Sequence, residues 1–207
     1  METSNEAGEG PSQAEELSGR ATGIFFLTVF GAVWIFGNSS SLSDVVFAVV
    51  LGVGGVICLL LLVCGVYLRR VSRVGASETG GSMSRNLRRR FNQVFIAEGV
   101  GIGVVAVICV SLGYPEWIPA AVALIVGLHF FPLARLFRMP LYYFTGAALC
   151  VVSAATMILA PLLNSSDAVW FALPGLGSGL VLWTTGVVLA VTGLGMARSH
   201  RTATGGP

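Results

Sequence analysis

Six apolar stretches, each about as long as one bilayer crossing, take up most of the chain: 21–37, 45–68, 93–113, 117–134, 140–163 and 168–196. A helix needs about 20 apolar residues to cross the hydrocarbon core. Lipid offers backbone groups no hydrogen-bond partner, so a spanning segment must be a helix or part of a closed barrel. Barrel strands read as short segments alternating apolar and polar, and runs such as Val45–Leu68 show no alternation. The expected fold is therefore all-α: a polytopic membrane protein whose core, 20–198, is a bundle of six transmembrane helices. Only 11% of the 207 residues are charged, against about a quarter in soluble domains. The spans leave no length for a separate soluble domain, which places any activity in or at the bilayer.

The charges that remain are sorted by side. The twelve cationic residues are all Arg. Arg20 precedes the first stretch. Arg69, Arg70, Arg73, Arg85, Arg88, Arg89 and Arg90 lie between the second and third, Arg135 and Arg138 between the fourth and fifth, and Arg198 and Arg201 after the sixth. The other three connections carry none. Because Arg in short loops marks the cytoplasmic side, both termini are expected in the cytoplasm, as in a multi-pass protein of a bacterial inner (plasma) membrane. The Arg69–Arg90 segment should attract anionic lipid. Nucleic acid is not expected as a partner, since the Arg cluster lacks the interleaved aromatic platforms that stack bases. Residues 1–19, with Glu2, Glu6, Glu9, Glu15 and Glu16, lack the basic start and short apolar core of a signal peptide. They read as a disordered cytoplasmic tail, and 199–207 as a second tail.

The outer connections, Asn38–Asp44, Tyr114–Glu116 and Asn164–Asp167, are short. They pair the helices as three antiparallel hairpins. Gly75–Ser82 has the composition of a flexible linker. Pro174, with Gly175 and Gly177, is expected to break the sixth stretch into a short interfacial piece and a true span. Gly99 with Gly103, and Gly175 with Gly179, form G-x-x-x-G pairs of the kind that let helices approach closely. Cys58, Cys64, Cys109 and Cys150 all fall inside spans and read as small buried apolar residues. Neither disulfide nor metal-ligand spacing is present, and no cofactor is implied.

Glu98 and His129 are the one acid and the one histidine placed well inside the spans. Glu98 lies eight residues past Arg90, about 12 Å along a helix, and His129 six residues before Arg135, about 9 Å. The short connection between their helices makes the two neighbours at similar depth. Tyr142 and Tyr143 enter the fifth span near that level, and Asn92 lies just below Glu98. Intramembrane ionisable groups are costly and find partners, so Glu98, His129, Tyr142, Tyr143 and Asn92 form the candidate site, proton-sensitive or substrate-binding. The competing reading is a polar clamp that fixes helix packing. Pro132 leaves the Leu128 carbonyl without its usual N–H donor, one residue from His129.

Enzymatic readings fail on their own terms, so no catalytic residue is expected. Gly175-Leu176-Gly177-Ser178-Gly179 is near an intramembrane serine-protease motif, but Leu176 stands where Gly is wanted and the later His200 is in the tail. One intramembrane histidine cannot supply bis-histidine haem ligation. A metal hydrolase wants several converging ligands, and Glu98 and His129 are all there is.

Gly127-Leu128-His129-Phe130-Phe131-Pro132-Leu133-Ala134-Arg135-Leu136-Phe137, then Pro140-Leu141-Tyr142-Tyr143, together with Arg90-Phe91-Asn92 and Glu98-Gly99, resembles a group of small uncharacterised bacterial membrane proteins common in actinobacteria. The resemblance covers about 90–146. It implies an inner-membrane location and a pattern centred on these polar residues, and no activity. Two functions remain expected: a small transporter or permease-like protein with a cytoplasm-facing Glu/His/Tyr site, or a non-catalytic subunit or scaffold acting through its glycine helix faces. A six-helix bundle has a thin core, which favours homo-oligomers.

Overall fold

The computed structural model describes residues 13–38, 42–75, 85–163 and 167–204. Six helices follow in order: α1 (Gln13–Gly37), α2 (Asp44–Gly75), α3 (Arg85–Leu112), α4 (Ile118–Phe137), α5 (Leu141–Leu162) and α6 (Asp167–Thr204). One turn of 3₁₀ helix, Pro115–Trp117, joins α3 to α4. All six helices are long and apolar enough to cross a membrane, and no strand occurs among the described residues. Gly113, at φ 80°, ends α3 in the left-handed region that glycine enters without steric cost. At the other end of α4, Arg138 takes φ 52° and its N–H bonds to the Ala134 carbonyl. Met139 N–H bonds to the same carbonyl, and the chain turns within three residues into α5.

The helices outrun the apolar stretches, which corrects several expectations. Residues 13–19 are the first turns of α1 rather than a disordered tail. Gln13, Ala14, Glu15 and Glu16 favour a helix start, the acids by complementing the helix dipole. Leu17 is buried there, and Gln13 Nε2 donates to the Met196 carbonyl. Residues 199–204 likewise continue α6 rather than forming a tail. Arg69, Arg70 and Arg73 ride on the last turns of α2, and Arg85 to Arg90 on the first turns of α3. Arg is a good helix former whose long stem reaches back to the interface. Gly75 is the last residue of α2; the rest of the expected linker, like residues 1–12, lies outside the described residues. The expected break at Pro174 is absent, and α6 runs through it as one helix of 38 residues. Pro174, Gly175, Ser178 and Gly179 are all buried, where a broken backbone would leave further polar groups unpaired.

Consecutive helices pack as three hairpins, α1 on α2, α3 on α4 and α5 on α6. The hairpins are then locked by α1 against α6 and α4 against α5, with α6 at the centre touching α1, α2, α4 and α5. Small residues make these crossings close. A Cβ on Gly179 would meet the Ile35 side chain and the Gly31 carbonyl, and one on Gly31 would meet the Trp183 ring. In α4 and α5, Gly127 and Gly146 face each other, and a Cβ on either would come within 3.0 Å of the other's carbonyl oxygen. Hydroxyls and an indole supply further bonds between helices. Ser153 Oγ donates to the Ala120 carbonyl at 2.6 Å, Trp183 Nε1 donates to the Thr28 carbonyl at 3.2 Å, and the Thr145 and Thr185 hydroxyls meet at 2.8 Å. These contacts put Arg20, Arg69, Arg89, Arg135, Arg138 and Arg198 at one end of the bundle. Trp117 and Trp170 meet at the other, ring centroids 4.9 Å apart.

The third helix stands apart. α3 packs on α4 and the 3₁₀ turn, makes no substantial contact with α1, α2, α5 or α6, and has no buried residue from Arg89 to Leu112.

Candidate functional site

Glu98 lies just over two turns past Arg90 at the Arg-rich start of α3, and His129 just past the middle of α4. The antiparallel hairpin sets them at one depth. His129 Nδ1 lies 3.3 Å from Glu98 Oε2, with side-chain exposures of 10% and 14%. The imidazole also faces the main chain of Val94, one turn before Glu98 on α3. His129 Nδ1 is buried without an aligned hydrogen bond, so its approach to the carboxylate is a close polar contact rather than a directed bond. Phe130 meets the imidazole edge to face at 6.1 Å.

Glu98 has a second face. It lines a groove of about 400 Å³ between α1, α3 and α4. Phe30, Val33, Trp34 and Asn38 of α1 form one wall, and Phe95, Gly99 and Ile102 of α3 the other. Ile118, Pro119, Val122 and Val126 of α4 form the floor. The groove exists because α1 and α3 flank α4 without packing on each other. The lining of α4 stops one turn short of His129. The groove thus extends from Glu98 toward the Trp117–Trp170 end of the bundle, away from the Arg end.

The other candidate residues do not join this pair. Tyr142 is buried, but its ring meets Phe130 at 5.6 Å and Phe137 at 6.4 Å. Its hydroxyl lies against Gly23 of α1, within electrostatic reach of Arg20. Tyr143 is exposed, its ring tilted against Phe131 at 6.1 Å, and Asn92 is exposed on α3. The expected five-residue site is therefore a two-residue site, because Tyr142 turns inward to the α1–α6 crossing and Tyr143 outward. The glycine pairs also part company. Gly175 and Gly179 press α6 onto α1, whereas nothing lies within 4 Å of a Cβ on Gly99 or Gly103.

A second polar cluster was not anticipated: Arg20 Nη1 donates to Thr192 Oγ1 at 2.6 Å, near the Tyr142 hydroxyl. Its signal in the sequence was only an Arg at the start of one span and a Thr near the end of another. Among the described residues no group of three or more His, Cys, Asp or Glu is placed to hold a metal ion.

Six spans and one intramembrane carboxylate–imidazole pair beside an apolar groove define a small multi-pass membrane protein. The pattern of a family of unknown function (DUF7010) matches residues 97–192. The match takes in most of α3, all of α4 and α5, and α6 as far as Thr192. It includes Glu98 and His129 and leaves out α2 and α1, the second of which supplies one wall of the groove. No curated protein and no solved structure matches the chain.

Proposed function

We propose that the protein is a small transporter or permease-like protein in which Glu98 is the proton- or cation-sensitive group and His129 its partner. The observation that carries this reading is where the pair sits. The bonds between helices inside the spans are made mostly by hydroxyls and an indole, at Ser153, Thr145, Thr185 and Trp183, and the cation that joins them, Arg20 on Thr192, sits at the Arg end of the bundle. The ionisable pair is instead on the least embedded helix, bordering a groove. A charged side chain in a span costs about 2.5–3.5 kcal/mol on insertion scales, and a mere clamp between α3 and α4 needs no such residue. In this reading the chain resides in a bacterial inner membrane with its Arg-lined end and both termini in the cytoplasm, held against anionic lipid, and it belongs with the small actinobacterial membrane proteins that 90–146 resembles.

The test is flux. Purified protein in liposomes loaded with a pH-reporting dye is expected to carry protons or a coupled cation when a membrane potential is imposed, and Glu98→Gln is expected to stop it. Flux unchanged by both Glu98→Gln and His129→Ala sinks the reading.

A second reading, a subunit or scaffold acting through helix contacts, is favoured by the open space beside Gly99 and Gly103. Gly175 and Gly179 are spent inside the chain and cannot serve it. Gly103→Leu separates the two: loss of a complex with flux intact supports transport, and loss of every phenotype supports scaffolding.

A further inference from the structure

We infer that the groove between α1, α3 and α4 is a binding site for a lipophilic cation, an onium ion with apolar substituents, whose charge rests against Glu98. The inference rests on the reading of Glu98 as a cation-sensitive group, and adds where the ligand lies and what it is made of. The volume of about 400 Å³ falls within the roughly 300–1,000 Å³ usual for small-molecule sites. Glu98 is the only charged residue lining it, and Asn38 and Trp34 are the only other lining residues whose side chains carry a hydrogen-bonding group. A sugar, amino acid or hydrated ion would leave its polar groups unpaired on such walls. An onium ion without N–H donors has none to satisfy.

The negative group has little to offset it. Glu98 has a close partner in His129, but His129 Nδ1 donates no aligned hydrogen bond to it. His129 is not among the residues that line the groove, so a cation there meets the carboxylate without meeting the imidazole. Phe30, Trp34 and Phe95 line the same groove, and aromatic faces attract cations, quaternary ammonium groups above all. Access fits too. Phe30 is 45% exposed, Val33 62% and Phe95 49%, so the walls open sideways toward lipid, the phase in which a lipophilic cation accumulates.

The experiment uses the full chain in detergent with tetraphenylphosphonium and its near-isosteric anion tetraphenylborate, binding read by equilibrium dialysis and by quenching of Trp fluorescence. Saturable binding of the cation at one per chain is expected, with at least tenfold weaker binding of the anion. Glu98→Gln should weaken the cation at least tenfold, and Glu98→Asp should retain it. Gly99→Trp keeps the carboxylate but fills the groove, and should abolish binding with an unchanged melting temperature. Equal binding of both ions, or cation binding indifferent to Glu98→Gln and Gly99→Trp, overturns the inference and leaves the groove as a seat for a lipid chain. Cation binding without any flux in liposomes sinks the transport reading and leaves this site standing. Glu98-dependent flux with no cation binding does the reverse.

Discussion

Glu98 Oε2 and His129 Nδ1 stand 3.3 Å apart across the interface of α3 with α4. α4 is the one helix on which α3 packs, so this contact could be what anchors α3. The geometry argues against that. Nδ1 has no aligned partner, whereas Phe91 of α3 meets Phe137 of α4 edge to face at 6.1 Å. Removing one partner from a tight buried ion pair costs about 3–5 kcal/mol. Glu98→Gln is expected to cost well under that, below about 1 kcal/mol, with little coupling to His129→Ala in the double mutant. Thermal unfolding in detergent of wild type, both single mutants and the double mutant measures this. Strong destabilisation by each single change, largely shared in the double, would make the pair a clamp.

The glycines make a sharper contrast. A Cβ on Gly127 would lie 3.0 Å from both the Cys150 nitrogen and the Gly146 oxygen, and backbone atoms cannot swing aside. Gly127→Ala is expected to cost about 1–3 kcal/mol, the usual range for overpacking. Gly103 has nothing within 4 Å. Gly103→Ala should therefore cost nothing, and can gain up to about 1 kcal/mol through helix propensity. Melting temperatures of the two variants in the same detergent decide it, and equal losses would mean that the face of α3 at Gly103 is covered.

What the sequence made legible follows from the period of its signals. Span number depends on long runs of apolar residues, which lipid enforces everywhere, and all six helices are present. The depth of Glu98 and His129 was readable because helix rise is constant and the α3–α4 connection is short. Side-chain direction was not readable: Tyr142 and Tyr143 are adjacent, yet one is buried and the other exposed. A helix hydrophobic on nearly every side gives no stripe to show which face is inward, and α6 is of this kind. Close crossings such as Gly127 on Gly146 involve single glycines from different helices, so no motif announces them. The groove was hidden for the same reason, since it arises from two helices that fail to touch. Pro174 misled because proline's cost to a helix is judged locally, while the burial of its neighbours against α1 is not.

The hydroxyl pair has a proton shortage that can be measured. Thr145 Oγ1 lies 3.1 Å from the Leu141 carbonyl, Thr185 Oγ1 2.8 Å from the Val181 carbonyl, and the two hydroxyls 2.8 Å from each other. Two hydroxyl protons cannot serve three contacts, so one hydroxyl donates across the interface and gives up its own carbonyl. Each threonine therefore keeps an acceptor within its own helix when the other is removed. Thr145→Val is expected to cost about 0.6 kcal/mol, the mean found for hydrogen bonds between membrane helices, and no more than about 1.7. The double change Thr145→Val with Thr185→Val should cost little more than either single one. A double-mutant cycle on thermal unfolding checks both statements, and simple additivity would show that the two hydroxyls do not interact.

The Arg asymmetry yields the prediction on orientation. Every described Arg lies on the end of the bundle that holds the start of α1 and the last turns of α6, and Arg is retained on the cytoplasmic side. Ser43, exposed just before α2, belongs to the opposite end. In a background with Cys58, Cys64, Cys109 and Cys150 replaced by Ala, Ser43→Cys should react with a membrane-impermeant maleimide on intact cells. Ser199→Cys should react only after permeabilisation, because six crossings return the last helix to the side where the first began. Labelling of Ser199→Cys alone on intact cells would invert the topology, and would move the open end of the groove beside Glu98 from the outer to the cytoplasmic leaflet. Labelling of both would mean an odd number of crossings, which the antiparallel contact of α1 with α6, from Arg20 on Thr192 at one end to Asn38 on Gly175 at the other, does not permit.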